Sequence, residues 1–98
     1  MFDELDWTYR GTYMRERHGV SVDVANEAAA DPSRIVIDPD YNSTSGRTVR
    51  IIGYSVLLGS IVMVIALSDD GVDYGVNGWL SNKRDQKIYR EAEGHGQN

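Results

Sequence analysis

A single α+β domain, with two helices, then a four-stranded, mainly antiparallel sheet and a closing helix, is what this 98-residue chain predicts. Three observations lead there. Helix-capping residues gather towards the two ends of the sequence, runs of Ile, Val, Thr and Tyr alternate with turn residues between positions 34 and 80, and the length admits one hydrophobic core. No linker or repeat divides residues 1–98, of which about 6–91 form the expected ordered core and 93–98 a flexible tail.

Each element has its local reason. Asp6-Trp7-Thr8-Tyr9 fits a short strand or the entry to a helix, and residues 9–17 then read as a polar helix that His18 and Gly19 end, Gly being able to take the left-handed cap. Ser21 is placed to cap a second helix through about Ala30, with Val24, Ala25, Ala28 and Ala29 as its apolar face and Asp31-Pro32 as its stop. Residues 34–38 read as a strand, and residues 39–46 as a loop rich in Asp, Asn, Ser and Thr. Residues 48–54 and 60–67 form the next two strands, and Asp69-Asp70-Gly71 carries the Asp-Gly turn that returns the chain through residues 72–79. Asn82 followed by Asp85 resembles a capping box, which starts a last charged helix over residues 83–92.

Composition removes several classes of function. A charged fraction of 26% and a hydrophobic fraction of 41% are those of a folding chain, which excludes wholesale disorder. The absence of Cys excludes disulfide frameworks, thiol nucleophiles and cysteine zinc sites, and suits the cytoplasm. The acidic start, Asp3, Glu4 and Asp6, is unlike a secretory signal. Residues 51–67 carry no formal charge and are long enough to enter a membrane, but Gly53-Tyr54-Ser55 and Gly59-Ser60 break the run, so it predicts a buried hairpin. The net charge of −5 argues against a protein whose whole surface grips nucleic acid. Residues 1–40 hold nine acids and four bases and residues 41–98 six of each, so any anion contact is expected in the second part or locally.

The sequence carries no phosphate-loop, nucleophile-elbow or zinc-protease motif, and two histidines are too few for a metal site, so neither metal nor cofactor is expected. The most distinctive string is Arg15-Glu16-Arg17-His18-Gly19-Val20, in which an imidazole stands beside two guanidinium groups. It could bind phosphate and move a proton, and it also suits an ordinary helix end. Lys83, Lys87 and Arg90 share one helical face, with Arg84 beside them. Tyr74, Trp79 and Tyr89 are core or partner-binding aromatics, with Trp79 assigned to the core.

The order Asp6-Trp7, Arg17-His18-Gly19-Val20-Ser21, Asp31-Pro32, Arg50-Ile51-Ile52-Gly53-Tyr54-Ser55 and an apolar strand over residues 61–67 resembles the BrnT-type toxins of bacterial BrnT/BrnA toxin–antitoxin pairs. The resemblance spans about residues 6–91 and implies the small RelE/ParE-like fold. It departs at Asn77-Gly78-Trp79-Leu80, where that family has a basic strand end, and resumes at Lys83-Arg84-Asp85 and Tyr89.

What the resemblance implies is a toxin-like type II component, a metal-independent endoribonuclease that inhibits growth. His18 would be its general acid or base, Arg17 and Arg50 would hold phosphate, and Lys83, Arg84 and Tyr89 would line or support the site. Its partners would be a BrnA-like antitoxin, RNA, and operator DNA reached mainly through the antitoxin, with self-association open and a membrane not expected. The alternative is a catalytically silent member of the same fold acting as a protein-binding regulatory module, a reading that the missing strand arginines favour.

Overall fold

The computed structural model describes residues 4–96. Helices α1 (Gly11–His18) and α2 (Val22–Ala29) precede strands β1 (Ile35–Ile37), β2 (Thr48–Ser55), β3 (Ser60–Asp69) and β4 (Val72–Leu80), and helix α3 (Lys83–Gly96) closes the chain. All strand pairs are antiparallel, in the order β1-β2-β3-β4. This is the expected α+β layout.

The predicted signals act where they stand in the chain. Gly19 takes the left-handed conformation at φ 71° and its N–H reaches back to the Arg15 carbonyl, which ends α1. The Ser21 hydroxyl accepts the Val24 N–H and starts α2. Asp70 and Gly71 both have positive φ, as a two-residue hairpin requires, and the Asn82 side chain accepts the Asp85 N–H at the head of α3. Two expectations are refined. Residues 6–9 form neither a strand nor part of α1: Asp6 makes one parallel bridge to Tyr74, and the helix begins at Gly11. Helix α3 runs to Gly96 rather than Ala92, and of the expected tail residues 97–98 lie outside the described residues.

Alternation in β2 and β3 gives the sheet two buried faces. Val49 and Ile51 pair with Ala66 and Val64 on the face that α1 and α2 cover, where Leu5, Trp7, Met14, Val20, Val24, Ala25 and Ala28 complete the core. Glycine sets how closely those layers approach. A Cβ on Gly53 would stand 1.8 Å from the Ala28 carbonyl oxygen, and one on Gly75 would stand 2.3 Å from the Trp7 ring. On the other face Ile52 pairs with Met63 and Arg50 with Ile65, all of them buried. Residues 51–67 are split between β2 and β3, and among the described residues no helix is long and apolar enough to cross a membrane.

Because the obstacle at Gly53 is backbone rather than a flexible side chain, Gly53→Ala should destabilise the fold by at least about 2 kcal/mol in chemical denaturation. An unchanged midpoint would mean that α2 is not seated on β2 as described.

Candidate functional site

Of the six residues expected at a site, the structure puts two into the framework. Arg50 is 2% exposed. Its Nε donates to Asp40 at 2.6 Å, and its Nη1 donates to Asp85 at 2.8 Å and to the Tyr41 hydroxyl at 2.8 Å. Tyr41 in turn donates to Asp85 at 2.7 Å. Burial opposes the Arg50 charge, but its hydrogen bond to Asp40 and the Asp85 carboxylate more than offset it and raise its pKa. Burial, and then the bond to Asp85, likewise push the Tyr41 phenol above its ordinary range. A guanidinium so enclosed does not meet a phosphate, so the phosphate-holding role expected of Arg50 gives way to a structural one.

Tyr89 is also buried, and its hydroxyl donates to Asp31 at 2.6 Å. Asp31 further accepts the N–H groups of Tyr54 and Ser33, which joins the end of α2, strand β2 and helix α3 at one carboxylate. Burial works to raise the Asp31 pKa, yet the Tyr89, Tyr54 and Ser33 donors and the nearby Arg34 together bring it below its usual value.

The other four residues are exposed. Arg17 and His18 lie in the last turn of α1, with Arg15, and Lys83 and Arg84 lie at the head of α3, with Arg84 4.3 Å from the Tyr41 ring centroid. The His18 ring lies 5.2 Å from that of Trp79 near the end of β4 and 6.4 Å from that of Tyr13, over which Arg10 sits at 4.2 Å. Trp79 is half-buried and outside the core, which corrects its assignment as a core aromatic. The result is an open row of rings and cations along α1 and the last residues of β4. Its sequence signal was the Tyr13-to-His18 spacing on one helix; the Trp79 contact spans too much of the chain to be read from it. Among the described residues no group of three or more His, Asp or Glu could hold a metal ion. Comparison with protein-family models and with curated proteins finds no match for the chain.

Arg50→Met would leave two carboxylates facing each other without their cation and should cost about 3–5 kcal/mol, whereas Asp85→Asn, which leaves Arg50 with Asp40, should cost less. Urea midpoints of the two variants check the order; equal or reversed losses would contradict it. The depressed Asp31 pKa gives a pH dependence of known sign. Its stabilisation is present above the ordinary carboxyl value of 3.8 and is lost as the pH falls through the lower folded value, so acidification from pH 5 to pH 2 should narrow the stability gap between the wild type and Asp31→Asn. A gap that stays constant would contradict the assignment.

Proposed function

We propose that the chain is the toxin-like component of a bacterial type II toxin–antitoxin pair, a cytoplasmic, metal-independent endoribonuclease that engages RNA beside the His18–Trp79 pair. The observation that carries this reading is that pair, set next to the exposed, guanidinium-rich last turn of α1. A base of any identity stacks on an aromatic ring while neighbouring arginines meet the phosphates. A local platform of this kind answers the difficulty of a net charge of −5.

In this reading the ribose 2′-oxygen attacks the adjacent phosphorus and the bond to the 5′-oxygen breaks. His18 takes the 2′-hydroxyl proton or returns one to the leaving oxygen, and Arg17 offsets the charge that develops on the phosphate, with Lys83 and Arg84 lining or supporting the site. Arg50 and Tyr89 support the frame from behind. A BrnA-like antitoxin would restrain the activity and carry the contact with operator DNA.

The second reading is the catalytically silent protein-binding module. It is favoured by the burial of Arg50 and the use of its Nε and Nη1 by Asp40, Tyr41 and Asp85, and by Trp79 and Leu80 standing where the resemblance expects basic residues.

Tightly induced expression in a bacterium, with wild type and His18→Ala accumulating equally, separates the two. The nuclease reading expects growth arrest by wild type alone and at least a ~100-fold slower RNA cleavage by His18→Ala, unaffected by a chelator. Arrest by both variants would contradict the role of His18, and no arrest by either would leave the binding module.

A further inference from the structure

The turn between β2 and β3 holds three consecutive apolar side chains in solvent: Val56 and Leu57 are 75% and 68% exposed, and Leu58 is exposed as well. Single exposed apolar residues are ordinary, but this group adjoins two more, Tyr54 and Leu80, both exposed. Tyr54 and Leu80 also line an open groove of about 740 Å³, together with Gly59, Ile61, Tyr89 and Arg90.

The turn is held, not loose. Glu27 on α2 accepts the Leu57 N–H and the Ser55 hydroxyl at 2.8 Å each, the Ser55 hydroxyl oxygen accepts the Leu58 N–H at 3.2 Å, and the Ser55 carbonyl accepts the Gly59 N–H at 2.7 Å. Backbone groups that would otherwise need water are satisfied from within, and the three side chains project from a fixed base. Such pre-organisation lowers the ordering cost when a surface is covered.

Strand addition, the other common way to dock on a sheet, is obstructed along β4. Asp6 exchanges hydrogen bonds with Asp73 and Gly75, Arg10 donates to the Val76 carbonyl, and the Asn77 side chain accepts the Gly78 N–H. Side chains at the turn, rather than the strand edge, are what this end of the sheet offers.

The charge around the turn indicates what would cover it. Glu27 on α2 meets the turn at Leu57 and Ser55, Asp31 just beyond α2 accepts the Tyr54 N–H, and residues 19–33 contain neither Lys nor Arg. The Leu57 N–H and then the Ser55 hydroxyl hold the Glu27 pKa below its ordinary value, and Asp31 is held low as described above, so both stay ionised. The nearby cations are Arg34, whose guanidinium donates back to the Asp31 carbonyl, and Arg90 on the α3 wall of the groove. An acidic stripe thus borders the apolar turn on its α2 side.

We infer that the β2–β3 turn, with Tyr54 and Leu80, is a docking surface for a partner-protein segment that presents apolar side chains flanked by Lys or Arg. The inference does not depend on ribonuclease activity: Val56, Leu57, Leu58, Tyr54 and Leu80 have no part in the proposed cleavage, although Leu80 follows Trp79 on β4.

The probe is a short synthetic amphipathic helix of Leu and Lys, compared with the same peptide carrying Glu in place of Lys. Binding is followed by fluorescence anisotropy and by amide NMR shifts of the full chain. The Leu–Lys peptide should bind saturably, shift the amides of Tyr54, Leu57 and Leu80, and bind at least about tenfold more weakly to a Val56→Ser, Leu57→Ser, Leu58→Ser variant of unchanged net charge. Undiminished binding to the triple-serine variant, equal binding of the Leu–Glu peptide, or no binding would each overturn the inference. Self-association of wild type that the triple-serine changes abolish would overturn it in favour of a second copy of this chain.

Discussion

Arg50 sits in the middle of β2, flanked by Val49 and Ile51 and paired across the sheet with Ile37 and Ile65. A guanidinium taken out of water at such a place is tolerable only if carboxylates and hydrogen bonds accompany it. Two chain segments deliver them. Asp40 comes from the loop after β1, and Asp85 from the first turn of α3, with Tyr41 bridging Arg50 and Asp85. The loop and the last helix are therefore tied to the sheet at one point, and Arg84 extends the cluster outward over the Tyr41 ring. With two carboxylates to one buried guanidinium, the cluster retains a negative charge that Arg84 is placed to moderate.

The opposite face works by a different principle. Small residues, Gly53 under Ala28 and Gly75 under Trp7, let the backbone of α2 and the Trp7 ring come down onto the strands, so that side is held by close apolar packing. With both faces covered, recognition is left to the margins of the sheet. One margin is the end of α1 with Trp79, rich in rings and cations; another is the β2–β3 turn, apolar and bordered by acid. Asp31 ties the second of these margins to the frame, since its carboxylate joins the end of α2, β2 and α3.

Most of the fold was legible because its signals are local. Gly19, Ser21, Asp31-Pro32, Asp70-Gly71 and Asn82 with Asp85 each act within a few residues of where they stand, and the element order follows from them. The candidate site was less so. The resemblance gave Arg50 a phosphate, whereas its carboxylate partners lie 10 and 35 residues away and only the folded chain unites them. A usable warning was present: an arginine in a strand whose two faces are both apolar must be paired internally. Trp79 reads by default as core, but it packs with His18, a contact that depends on how α1 crosses the end of β4. Val56, Leu57 and Leu58 fall between the strands read over residues 48–54 and 60–67, but the run reads as a buried hairpin, and hydropathy does not say that the side chains of its turn stay in solvent.

The proposed chemistry belongs to the α1 end beside Trp79 and not to the buried arginine. The most direct measurement is a two-dimensional NMR titration of the full chain with a short single-stranded oligoribonucleotide. Shifts are expected at the Trp79 indole, the His18 ring and the amides of α1, with the Arg50 side-chain signal and the β2–β3 turn unmoved. Shifts centred on Arg50, or a bound oligonucleotide that leaves Trp79 and His18 untouched, would contradict it.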